Sequence, residues 1–149
     1  MSTITGTPIR LGQITVTFLV EAEASGGSVT VSRCDVEAGG GMPVAHSHDA
    51  FEETVYGLQG TVTLTVDGTD IPVGPGEAYC IARGAVHSFA AREGAVSFLA
   101  VATPGVFGPA YFLELAAVLD AAAGGPPDPR AVMDVMLRHG LTPAALSTN

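Results

Sequence analysis

The stretch "GGMPVAHSHDAFEETVYGLQG", residues 40–60, places two histidines one residue apart, follows them with a double glutamate and encloses the set between glycines. Imidazoles at i and i+2 diverge on a helix but share one face of a strand. An extended backbone here points His46 and His48 the same way, which is a metal-ligand spacing. Alternation along a strand also sends only one of Glu52 and Glu53 to the interior. The chemistry these residue types offer is the capture of a divalent cation.

That reading requires strands, and the surrounding sequence supplies them. From about residue 12 to 103, short β-branched or apolar runs alternate with turn residues: "QITVTFLV", "GSVTVSRCDV", "ETVYGLQG", "TVTLTV", "IPVG", "EAYCIA", "VHSFAA" and "AVSFLAVA". "TVTLTVDGTDIPV" carries the Asp-Gly signal of a two-residue hairpin. Many short strands without helices between them indicate an antiparallel sandwich or barrel. After "TPGVFGP" the period changes to helical. "AYFLELAAVLDAAAGG" (110–125) stops at a Gly-Gly pair. "PPDPRAVMDVMLRHGLTP" (126–143) offers Asp128 as N-cap, Pro129 at the first helical position and Gly140 as C-terminal cap. The expected organisation is one domain, residues 1–149, with a barrel at about 12–103 and a helical appendage at about 109–140.

Composition narrows the partners. Hydrophobic residues make up 47% of the 149 and charged residues 14%, a globular balance. The formal net charge is −9, with six Lys and Arg scattered singly, which disfavours nucleic acid and anionic membrane surfaces. The start, "MSTITGTPIRLGQ", lacks the basic and long apolar regions of a signal peptide, so a cytoplasmic location is expected. Cys34 and Cys80 form no CxxC pattern and read as buried free thiols.

The spacing Gly40, five residues, His46-x-His48, four residues, Glu53, six residues, Gly60 is followed by Gly76, five residues, Ala82-x-Gly84, two residues, His87. These intervals together resemble the two sequence motifs of the cupin superfamily, and the resemblance covers residues 40 to 91. It implies an all-β fold, an antiparallel barrel of jelly-roll type, here with a C-terminal pair of α-helices. It also implies that His46, His48, Glu53 and His87 are the metal ligands, with Glu53 inward and Glu52 outward. Ala82 stands where the second motif usually has proline and Ala91 where it usually ends in asparagine; neither is a ligand position. Cupins are often dimers, so a homodimer through an N-terminal edge strand is an expectation by the same resemblance.

Three imidazoles and a carboxylate suit one divalent transition metal: Fe, Mn, Ni, Co, Cu or Zn. Such a set leaves one or two coordination positions open. A divalent ion beside one glutamate keeps a single positive charge, which an enolate or phenolate would neutralise. The expected function is a metal-dependent dioxygenase, resembling quercetinase-like cupins, on a small apolar phenolic or enolisable substrate, with Glu53 also accepting a substrate proton. The alternatives are a redox-neutral cyclase or isomerase acting on a polyketide-type substrate, and a ligand-binding cupin without turnover. Alternation from Glu53 puts Val55 and Gly57 inside, and with Phe89 they are the expected substrate pocket. Tyr111 and Phe112 could line the barrel mouth, although docking the helix is the simpler role. Met133 and Met136 read as core, His139 as a histidine favoured by a helix C-terminus, and Arg83 as a turn arginine or a contact for an anionic substrate.

Overall fold

Residues 6–42 and 44–144 are described in a computed structural model. Alternation drives the strands. Along Thr30–Val36 every second side chain is buried, and Val62–Val66 repeats the pattern with Val62, Leu64 and Val66 inside. The elements in chain order are β1 (Ile9–Leu11), β2 (Ile14–Val20), α1 (Ala22–Ser25), β3 (Thr30–Val36), β4 (His46–His48) and β5 (Glu52–Gln59). They continue with β6 (Val62–Val66), β7 (Thr69–Val73), β8 (Ala78–Ile81), β9 (His87–Ala90) and β10 (Val96–Thr103). Last come α2 (Pro109–Ala121), α3 (Pro129–Arg138) and β11 (Leu141–Pro143). Between β6 and β7, Asp67 and Gly68 both take positive φ (47° and 82°), the conformation a two-residue hairpin turn demands.

The strands form two antiparallel sheets, ordered β1-β2-β3-β10-β5-β8 and β11-β4-β9-β6-β7. The sheets face one another without closing into a continuous ladder, so the barrel is a jelly-roll sandwich. Val16, Phe18, Val55 and Phe98 from one sheet meet Val62, Leu64 and Val73 from the other in a single apolar core.

A second apolar cluster joins the C-terminal helices to the sandwich through Phe51, Phe107, Tyr111, Val132, Val135, Met136 and Leu141. The Asp128 side chain caps α3 by accepting from the Arg130 N–H at 3.0 Å, with Pro129 next in line. Gly140 takes φ 78° just past the helix, where a Cβ would be unfavourable. The chain then turns straight into β11, which pairs with the His-x-His strand: Leu141 opposite His48, Thr142 opposite Ser47, Pro143 opposite His46. The Asp49 N–H adds a bond to the Gly140 carbonyl at 3.0 Å.

Three expectations change. Cys34 is a buried free thiol as expected, but Cys80 is exposed, because β8 turns it to the outer face of the sandwich. His139 sits at the α3 C-cap, yet its Nε2 lies 3.1 Å from Glu114 Oε2 on α2, so the two helices share it. Arg83 pairs with Glu52 at 2.8 Å and is committed to the surface. No helix among the described residues is long and apolar enough to cross a membrane. Residues 1–5, part of the stretch used for the signal-peptide reading, lie outside the described residues, as do 145–149.

Candidate metal centre

His46 and His48 share the inner face of β4, and His46 lies directly opposite His87 of β9 in the ladder. The strand that the spacing demanded is present. All three rings are buried, and one ring nitrogen of each falls within 4.8 Å of the others. His46 Nε2 and His48 Nε2 are 3.2 Å apart. Two nitrogens each about 2.1 Å from a common ion, at an angle of roughly 100°, would stand at that separation.

Backbone carbonyls fix the rings. His46 Nδ1 donates to the Val44 carbonyl at 3.0 Å, and His87 Nδ1 to the Ala85 carbonyl at 2.9 Å. A carbonyl can only accept, so the proton is held on Nδ1 and the Nε2 lone pair is presented inward. The acceptor lies two residues before the histidine in both cases. His48 is held differently: its ring stacks on Phe51 (centroids 4.2 Å apart), and its Nδ1 has no partner among the described residues. The donor set therefore fits a divalent transition metal, with neutral imidazoles aimed at one point.

Glu53 stands beside this group. Its Oε2 is 3.6 Å from His87 Nε2, while the convergent cluster is the three imidazoles alone. Alternation on β5 turns Glu53 toward the interior and Glu52 outward to Arg83, whose two guanidinium nitrogens bond it at 2.8 and 3.3 Å.

The protonation states follow from burial and proximity. Burial and the His87 charge push His46 down to about 4, and burial does the same to His48, to about 4, despite nearby Glu53. Burial opposes charge on His87 as well, but the Glu53 carboxylate outweighs it and holds that ring above its usual value. Burial raises Glu53, yet His87 and the other imidazoles hold it below the ordinary glutamate range. Two native imidazoles thus bind protons more weakly than in the unfolded chain, where the value is 6.5. Their stabilising contribution is complete above that value and is lost as pH falls toward 4; His87 acts oppositely, as one ring against two. Each fully responding group changes stability by about 1.4 kcal/mol per pH unit. We expect the melting temperature of chelator-treated protein to fall steadily between about pH 6.5 and 4, as scanning fluorimetry would read. A flat profile over that range would contradict the burial described here.

A cavity of about 550 Å³ opens from the three histidines into the sandwich. Glu53, Val55 and Phe89 line it, together with Phe98, Phe107, Tyr111, Phe112, Met133 and Met136. Met133 and Met136 therefore serve the cavity as well as the helix packing. Gly57 does not line it. A Cβ at Gly57 would overlap the Gly74 carbonyl, and the glycine instead lets the 74–77 turn cross the strand: the Gly57 N–H bonds the Glu77 carbonyl and the Gly76 N–H bonds the Gly57 carbonyl, both at 2.9 Å. Close approach of another backbone, not of a ligand, is why glycine stands there. Sequence reasoning did not find Phe51 or Phe107, which stack on each other at 5.0 Å beside His48. Only their aromatic type hinted at a role.

An imidazole triad inside a two-sheet jelly roll defines a metal-binding β-barrel. Residues 32–102 match the family model described as Cupin domain, and this chain carries a cupin domain there. A 68-residue stretch, 46% of this chain, is 32% identical to quercetin 2,3-dioxygenase of Bacillus subtilis (strain 168) and spans 20% of that protein's length. Among solved structures, the polyketide cyclase RemF from Streptomyces resistomycificus aligns with TM-score 0.55 and 27% identity over 65% of this chain and 73% of its own. A predicted oxalate decarboxylase from Thermotoga maritima aligns with TM-score 0.61 over 66% of this chain and 92% of its own; at 24% identity that likeness concerns the fold.

Proposed function

We propose that this chain is a metal-dependent dioxygenase acting on a small, apolar phenolic or enolisable substrate. The observation that carries the reading is the pairing of three convergent imidazoles with a cavity whose lining includes no Lys or Arg among the described residues. Glu53 is the one carboxylate in that lining. A dicarboxylate, a phosphate or a sugar acid would find no counter-charge there beyond a metal, whereas an aromatic ring finds phenylalanine and methionine on most sides. A volume of about 550 Å³ suits a molecule of two to three rings.

His46, His48 and His87 would hold the ion, with Glu53 as fourth ligand. A bound transition metal supplies Lewis acidity and, for ions other than zinc, redox chemistry. The remaining work falls to the chain. Glu53, charged at neutral pH, lies where it can accept the proton of a substrate hydroxyl. Val55 and Phe89 flank the reacting end, and the apolar walls keep water from it.

The redox-neutral cyclase reading is supported by the 27% identity to RemF and uses the same residues. An oxygen electrode separates the two. With a panel of flavonols and naphthols, metal-loaded protein should consume oxygen, and Glu53→Gln should lower the rate at least about 100-fold. Equal substrate conversion without oxygen by a zinc-loaded form would establish the cyclase reading instead.

A further inference from the structure

Tyr111, on α2 and outside the matched cupin segment, is completely buried and lines the cavity. Its ring is packed by Phe107 (centroids 5.0 Å), Phe112 (4.9 Å) and His139 (5.7 Å). Those contacts ask only for an aromatic ring, and phenylalanine would satisfy them. The hydroxyl, however, has no hydrogen-bond partner among the described residues. A buried hydroxyl left unpaired is destabilising, so packing does not explain the oxygen. Burial, reinforced by the Glu53 charge, pushes the phenol above its usual value, which keeps the hydroxyl protonated. The Phe107 ring lies between Tyr111 and His48, 6.0 Å from the imidazole, so the hydroxyl belongs to a different part of the cavity from the metal centre.

We propose that the Tyr111 hydroxyl donates a hydrogen bond to an oxygen of the substrate remote from the one bound at the histidines. This rests on the apolar-aromatic reading of the cavity and narrows it: the substrate is an aromatic molecule with polar oxygens at two separated positions. Tyr111 is a positioning residue, selecting substrates that carry the second oxygen.

The probes are 2,6-dihydroxynaphthalene and naphthalene, titrated by calorimetry into metal-loaded wild type and Tyr111→Phe, with metal content measured on both. Tyr111→Phe should weaken the diol about tenfold, the worth of one neutral hydrogen bond. Naphthalene affinity and metal content should not change, and the ligand-free variant should melt no lower than wild type. Unchanged diol affinity, or equal losses for both probes, would overturn the assignment while leaving the cavity reading in place. Wild type that binds neither probe would overturn both.

Discussion

His48→Ala is expected to remove bound metal, and with it the difference in melting temperature between metal-loaded and chelated protein. Only three imidazole nitrogens converge in this cluster, so deleting one leaves two. Outer contacts of a metal site typically change affinity about 10–100-fold when lost; a ligand deletion should exceed that range. In wild type, a site at about 100-fold saturation adds roughly 2.7 kcal/mol to the native state, a shift readily seen by calorimetry. His46→Ala and His87→Ala should behave alike. Glu52→Ala is the control: its carboxylate faces solvent and bonds Arg83, so metal content should be unchanged. That ion pair is exposed and adds little to stability. Equal metal loss in Glu52→Ala, measured by elemental analysis, would mean that the wrong carboxylate was placed inside.

Gly57→Val is expected to abolish soluble expression. The atoms that a new side chain would meet are the carbonyl group of Gly74 and the nitrogen of Pro75, both backbone, and neither can rotate aside. Relief would require β5 to move away from the 74–77 turn, breaking the two hydrogen bonds that cross there. β5 also carries Glu53 and Val55 and pairs with β10 and β8, so the displacement would spread through the six-stranded sheet. Overpacking typically costs about 1–3 kcal/mol, and overlap with fixed backbone more, against a total stability of about 5–15 kcal/mol. Gly57→Ala should give folded protein with a clearly lowered melting temperature. A Gly57→Val protein that folds and keeps its metal but no longer binds ligand would restore the pocket reading of this position.

The two substitutions mark where the sequence was informative. Period-2 alternation gave nearly every strand of the sandwich, because each has one wet and one dry face. The fixed intervals around His46, His48 and His87 gave the triad, because a strand turns residue spacing directly into direction. Glu53 over Glu52 followed from the same parity, and Arg83 explains the outward partner. Gly57 misled because alternation reports which face a residue occupies and not what crosses that face. The crossing turn lies about twenty positions later, beyond any local signal. β11 was invisible for a related reason: three residues, one of them proline, form a strand only because β4 offers an unpaired edge. Tyr111 was weighed only as a residue at the mouth or a helix-docking contact, since the period of α2 reports a buried face without saying what that face adjoins.

The pairing of β11 with β4 has a consequence for the order of folding. Leu141 and His48 meet across a separation that matches the 93 residues between Thr142 and Asp49. Closing so long a loop is entropically unfavourable until much of the intervening chain has condensed. The histidine strand is therefore locked on that side among the last events, after the local hairpins have formed. An interaction that matures past the rate-limiting barrier scarcely alters the rate of reaching the native state and mostly retards departure from it. An ion held by these histidines would act as a brake on unfolding, making the lifetime of the folded chain, more than the speed of its formation, depend on metal supply.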